Sequence, residues 1–200
     1  LKLGLSYLEA HDVFAFAKPI MVELAYEIGQ TAFLGVWGNR GPTILNRVDG
    51  AYSQAIFDLR IGSVLPVINS ALGRNFAAHL PFSIVEPYLI RELEHSSPTN
   101  LPRDFQGQAT MTSVRALLRD VVDSGISRCR GGLLSDFTAI SAPVFDHSQS
   151  IICAITVMGP IERLDDDLAG QPVKRLKAAC RRISESCGYG PYNEPIEADS

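Results

Sequence analysis

The sequence predicts an α+β fold, an antiparallel sheet flanked by helices. Three observations carry this expectation. Residues 138–145 and 151–158 are apolar, β-branched runs separated by Asp146-His147-Ser148-Gln149-Ser150, a hairpin signature. A second such pair, residues 31–37 and 43–48, brackets Gly38-Asn39-Arg40-Gly41-Pro42, read as a five-residue loop. Helical periodicity then fills the stretches before, between and after the two hairpins.

Each element has its own justification. Leu1, Leu5 and Leu8 share a face at spacings of four and three, so the first ten residues read as helix. Asp12 is a plausible N-cap for a second helix reaching Ile28, with Pro19 as a kink or first-turn residue and Gly29 as the stop. A third strand is expected over residues 54–59. Residues 62–66 form a turn-rich entry, and Ser70 stands where an N-cap would stand ahead of a helix over 71–79. Residues 83–94 read as a short helix with Pro87 near its start, and 96–108, with Pro98, Asn100, Pro102 and Gly107, as loop. Val114, Leu117, Leu118 and Val121 mark an amphipathic helix ending at Gly125. Gly159-Pro160 ends the second hairpin. In the last helix Val173, Leu176, Cys180, Ile183 and Cys187 line one face, while Lys174, Arg175, Lys177, Arg181 and Arg182 mostly occupy the others.

Composition narrows the function classes. At 200 residues, 46% apolar and 20% charged, the chain can bury a core without disulfide or metal staples. A net charge of −4 argues against this stretch gripping a phosphate backbone, which needs a basic face. No apolar run approaches the roughly 18 residues that span a bilayer, and the start lacks a signal-peptide pattern, so a membrane role is not expected. Cys129, Cys153, Cys180 and Cys187 form no C-x-x-C pair, which fits a reducing, cytoplasmic setting.

Catalytic and metal motifs are missing from the sequence. There is no G-x-S-x-G elbow and no P-loop, and His11, His79, His95 and His147 lack ligand spacing. Gly35, Gly38 and Gly41 lie in or after a strand with no helix following, which is loop chemistry rather than dinucleotide binding. Asp165-Asp166-Asp167 suggests a divalent cation; acidic residues ahead of a helix also complement its dipole, and that reading is preferred. No catalytic residue, metal or cofactor is therefore assigned.

Two segments remain. Pro66-Val67-Ile68-Asn69-Ser70-Ala71-Leu72-Gly73-Arg74 enters a helix through small residues. The first N–H groups of a helix lack internal partners and favour an anion, so this is either an ordinary capped helix or a carboxylate seat. In residues 151–158 both alternating faces are apolar, so the strand is expected to be covered on both sides. Thr156 is then a polar group on a buried face, needing either the backbone or a ligand as partner.

Together these segments resemble the effector-binding domain of the IclR family of transcriptional regulators. Ile61-Gly62-Ser63-Val64-Leu65-Pro66-Val67-Ile68-Asn69-Ser70-Ala71-Leu72-Gly73-Arg74 is like the family's V-G-x-x-x-P-L-H-x-T-A-x-G-K. Ala139-Ile140-Ser141-Ala142-Pro143-Val144-Phe145-Asp146 is like A-I-A-A-P-V-F-D, and Ala154-Ile155-Thr156-Val157-Met158-Gly159-Pro160 is like A-L-S-V-S-G-P. Leu3-Gly4 looks like the start of the family's linker helix. The resemblance implies a GAF-like antiparallel sheet with helices on both faces, over residues 1–188; residues 189–200, Pro-containing and acidic, read as a flexible tail. It implies a small-molecule effector, often an aromatic or short-chain carboxylate. It also implies operator DNA bound through a winged helix-turn-helix domain absent from this sequence, and a homodimer or homotetramer. Carried over by position, the effector pocket falls on Ser70, Ala71 and Leu72, with Asn69 and Gly73 beside them, and on Pro143, Thr156 and Met158; Phe57 and Leu65 add apolar wall. Asp136 stands where the family has Gly, and its side chain faces either pocket or solvent. The alternative is a small thiol-dependent or hydrolytic enzyme on a similar fold, using Cys129 or Cys153, and a third reading is a dimerisation module without a ligand.

Overall fold

The structure is a computed structural model. It describes residues 2–51, 59–97, 101–105 and 109–190, with side chains from residue 13 onward. Its architecture is the expected α+β arrangement, a five-stranded sheet with helices on both faces.

Helix α1, Lys2–Ile28, is one uninterrupted element. The expected break at Asp12 does not occur, and Pro19 lies inside the helix. Packing overrides the local signals: Val13, Ala17, Met21, Leu24 and Ala25 form a buried stripe that holds the helix across its proline.

Strands β1 (Thr31–Gly38) and β2 (Gly41–Val48) form the first hairpin, joined by Asn39-Arg40 alone rather than by five residues. Pro42 sits within β2, opposite Trp37, because β2 is the sheet's edge. That edge is occupied by the following loop. Leu65 N–H donates to Pro42 O at 2.7 Å, Ile44 N–H to Ser63 O at 2.9 Å and Gly62 N–H to Ile44 O at 2.8 Å. The third strand expected over 54–59 falls almost wholly outside the described residues.

Helices α2 (Ala71–His79) and α3 (Phe82–Glu94), a 3-10 turn (Arg103–Phe105) and α4 (Met111–Ser124) follow. Thr110 and Ser113 cap α4 reciprocally, and Gly125 ends it at φ 67°, a left-handed position suited to glycine. Next comes β3 (Ser127–Arg130), which the sequence analysis did not foresee. It is four residues long with two arginines, too short and too charged to stand out as an apolar run.

The second hairpin is β4 (Phe137–Phe145) and β5 (Ile151–Pro160), and α5 (Gln171–Ser186) closes the fold. The sheet order is β2-β1-β5-β4-β3, antiparallel throughout. Both faces of β5 are covered, as its composition predicted. Cys153, Ile155 and Val157 pack with α1 and α5; Ala154 and Met158 face α2. Ile152 departs from the expected alternation and packs with the first set. The register skips it, since Val144 pairs with Cys153 and Phe145 with Ile151. A third core cluster, including Val67, Ile68, Val85, Leu89, Val114 and Leu118, holds α2 to α3 and α4.

Candidate functional site

The entry to α2 is built almost entirely by the segment that precedes it. Ser70 is extended (φ −138°, ψ 145°) and its Oγ accepts from Gly73 N–H at 2.9 Å while donating to Pro66 O at 2.6 Å. A Cβ on Gly73 would overlap the Pro66 carbonyl and the Val67 backbone, so only glycine lets the helix cross its own incoming chain so closely. Ile68 is held from both sides by opposite charges. Its N–H donates to Glu92 Oε2 at 2.7 Å, with Val67 N–H on Oε1, and its carbonyl accepts from Arg74 Nε at 2.7 Å. Burial pushes the Glu92 carboxyl above the usual range, partly offset by those two N–H donors. Arg74 is 1% exposed. It also pairs with Asp104, donates to Arg128 O, and lies 5.4 Å from the Phe105 ring centroid.

Between the first turn of α2 and the sheet lies a cavity of about 20 Å³, room for one water and not for a metabolite. Leu65, Asn69, Ser70, Ala71, Leu72, Thr156 and Met158 line it, so seven of the expected residues meet there. Gly73, Asp136 and Pro143 do not. Gly73 faces back onto Pro66, its N–H already taken by Ser70 Oγ. Asp136 is solvent-exposed, and its carbonyl accepts from Ile161 N–H at 2.9 Å. Pro143 pairs with Ala154, two cross-strand rows beyond Thr156. Phe57 lies outside the described residues.

The remaining lining was not foreseen: Phe33, Ile44, Leu59, Cys129, Gly132, Leu133, Leu134, Phe137 and Ala139. Most come from β3, β4 and the loop between them. The signal that could have found the loop is Gly131-Gly132. Gly131 has φ 66°, and a Cβ on Gly132 would overlap both the Asn69 carbonyl and Cys129 Sγ. Two glycines thus lay the loop directly onto the helix entry.

Polar character is concentrated at one place. Thr156 Oγ1 and Ser141 Oγ are 2.9 Å apart, and Asn75 Nδ2 donates to Ser141 Oγ at 3.1 Å. Thr156 Oγ1 thus joins a side-chain network rather than the backbone.

The alternative chemistries gain nothing from the geometry. Burial pushes the Cys129 thiol up to about 11, the Cys180 thiol up to about 12 and the Cys153 thiol well above its ordinary value, the reverse of what a nucleophile needs. Among the described residues no three His, Cys, Asp or Glu side chains gather as a metal site. Asp165-Asp166-Asp167 divides in role: the Asp165 carboxylate lies against Gly170, the N-cap of α5, where a negative charge complements the helix dipole. Asp166 is buried, pairs with Arg130 and accepts from Thr138 Oγ1 at 3.1 Å; Asp165 and Asp167 accept backbone N–H groups in the turn. No helix among the described residues is long and apolar enough to cross a membrane.

Comparison with known proteins agrees with this architecture. The family model described as "Bacterial transcriptional regulator IclR C-terminal" matches residues 5–185. The glycerol operon regulatory protein of Streptomyces griseus is 29% identical over 202 residues, covering 96% of this chain and 73% of that protein. The transcriptional regulator KipR of Bacillus subtilis is 25% identical over 192 residues, covering 94% and 73%. Among solved structures, HmgR of Pseudomonas aeruginosa superposes with a TM-score of 0.77 at 32% identity, covering 94% of this chain and 72% of that one. The Thermotoga maritima IclR structure, at 16% identity and TM-score 0.74 over 92% and 72%, shares the fold.

Proposed function

The chain belongs to the IclR family of bacterial transcriptional regulators, as a C-terminal domain of that family, and we propose that it senses a small carboxylate and passes the outcome to an operator-binding domain. The observation that carries the proposal is the meeting of the α2 entry and Thr156 around one mainly apolar cavity. With Gly73 N–H capped, Ala71 and Leu72, which line the cavity, supply the remaining first-turn N–H donors. They carry the helix's partial positive charge and would take the carboxylate. Thr156 supplies a further polar contact, and Leu65, Leu72 and Met158 cover the apolar body.

At about 20 Å³ the cavity has to expand to admit such a ligand. The helix entry is clamped by Glu92 and Arg74, whereas residues 131–136 reach it by glycine-mediated contact. The loop before β4 is therefore the wall that yields. A ligand that holds it open shifts the domain between two states, which is what regulation of a tethered DNA-binding domain requires. The domain works within a homodimer or homotetramer in this reading.

A thermal-shift screen against aromatic and short-chain carboxylates tests the proposal, followed by calorimetry on Thr156→Val. We expect a saturable rise in melting temperature for at least one carboxylate and weaker binding by the variant. No shift across the panel, or undiminished affinity in Thr156→Val, refutes the assignment. Ser70→Pro is a poor test, because φ −138° at Ser70 is incompatible with proline and the variant would strain the fold itself.

A further inference from the structure

Behind the cavity the sheet carries a row of hydroxyls. Ser127 on β3 pairs with Ser141 on β4, and Ser141 with Thr156 on β5, all on the face toward α2. Ser127, Ser141 and Asn75 are completely buried. Thr156 lines the cavity; Asn75 and Ser141 do not.

Each hydroxyl has one proton and two lone pairs, so the Thr156–Ser141 bond can run in either direction. Asn75 Nδ2 already donates to Ser141 Oγ. If Ser141 then turns its proton to Thr156, the bridging Asn75 proton and the Ser141 proton both have acceptors, and the Thr156 proton is left for the cavity that Thr156 lines. If the bond runs the other way, Ser141 accepts twice and its own proton is stranded. Ser127 Oγ, the next hydroxyl in the row, has no hydrogen-bond partner and so does not take it. A buried donor left without an acceptor is costly. The same reasoning favours the Asn75 amide orientation. Its Oδ1 has no partner, and turning the amide over would put both N–H donors where that single acceptor now stands.

We propose that Asn75 and Ser141, which touch no ligand themselves, orient Thr156 as a hydrogen-bond donor, so that the cavity selects a ligand whose oxygen at that point carries no proton: a carboxylate or keto oxygen rather than an ammonium or other pure donor. Both act as positioning residues through Thr156. The inference rests on the cavity being the ligand site.

Titration calorimetry with benzoate, an acceptor-only probe, and benzylamine, a donor-only probe of similar size, tests it on the whole chain. The wild type should prefer benzoate. Ser141→Ala removes the hydroxyl that occupies a Thr156 lone pair, leaving Thr156 free to accept as well as donate, and should lower the benzoate-over-benzylamine ratio by at least about fivefold. Ser141→Thr, which keeps the hydroxyl, should hold the ratio within about twofold. In a Thr156→Val background Ser141→Ala should also move the ratio by less than about twofold, since its effect is transmitted through that hydroxyl. If Ser141→Ala fails to fold, Asn75→Leu replaces it, with a smaller fall in the same direction. A wild type that binds neither probe overturns the ligand site and this inference with it. A wild type that binds benzoate but prefers benzylamine, or a ratio unmoved by either variant, overturns the inference alone. Equal shifts in both Thr156 backgrounds do the same, by showing a merely structural role.

Discussion

Arg74→Met is an informative single perturbation of this domain, because one side chain joins three elements. Its guanidinium ties the Ile68 carbonyl at the α2 entry, the Arg128 carbonyl on β3 and the Asp104 carboxylate in the 3-10 turn. Methionine fills much of the same volume, so the loss is chiefly polar. Two backbone carbonyls lose a charged donor, about 1.5–3 kcal/mol each. Asp104 is 38% exposed and rehydrates, so its share is about 0–1 kcal/mol. Against this, the variant no longer desolvates a cation, a saving of several kcal/mol in principle. The net expectation is a destabilisation of about 3 kcal/mol, or about 6–12 °C in melting temperature for a domain of this size. Urea unfolding followed by fluorescence of the single tryptophan, Trp37, which packs against Phe76 of α2 and Tyr88 of α3, reads it directly. Arg74→Lys should recover part of the loss, as a point charge can satisfy only some of the three acceptors. A fall below about 1 kcal/mol at an unchanged denaturant slope would refute the assignment of Arg74 as the clamp.

Two further outcomes follow from burial. Burial lowers the pKa of His79 from its ordinary 6.5, with the Asn75 carbonyl bond opposing it. The unfolded chain therefore binds the proton first, and stability falls as pH drops from about 6.5 through the folded value. His79→Gln should flatten that part of a urea-midpoint-against-pH curve, and an unchanged slope would contradict the assignment. In native protein at pH 8, iodoacetamide should leave Cys129, Cys153 and Cys180 unmodified and label all four cysteines once urea is added, as read by mass spectrometry. Rapid native alkylation of Cys129, with loss of ligand response, would instead support thiol chemistry at the cavity.

Much of the fold was legible because its signals are local and periodic. The β4–β5 hairpin is announced by two apolar runs around a polar loop. The Ser70 cap needs only a residue and its neighbours, and α4 stops at a left-handed glycine. Where local signals misled, a long-range term outweighed them. Proline and Asp12 do not interrupt α1, because its buried stripe packs on the sheet and α5. Asp166 is drawn to Arg130 and Thr138, 36 and 28 residues away, rather than to the helix that follows it.

The site divides in the same way. Motif order alone brought together the α2 entry, Thr156 and Met158, because a capped helix start and an alternating strand fix where those residues point. Sequence could not see that β3 completes the sheet, that Gly132 lets its loop lie on the Asn69 carbonyl, or that Asn75 and Ser141 meet behind Thr156. Those contacts join residues of separate elements, and their energy exists only once the chain has brought them together. Periodicity decides which face a residue occupies; the packed tertiary structure decides which residue of another element it faces there.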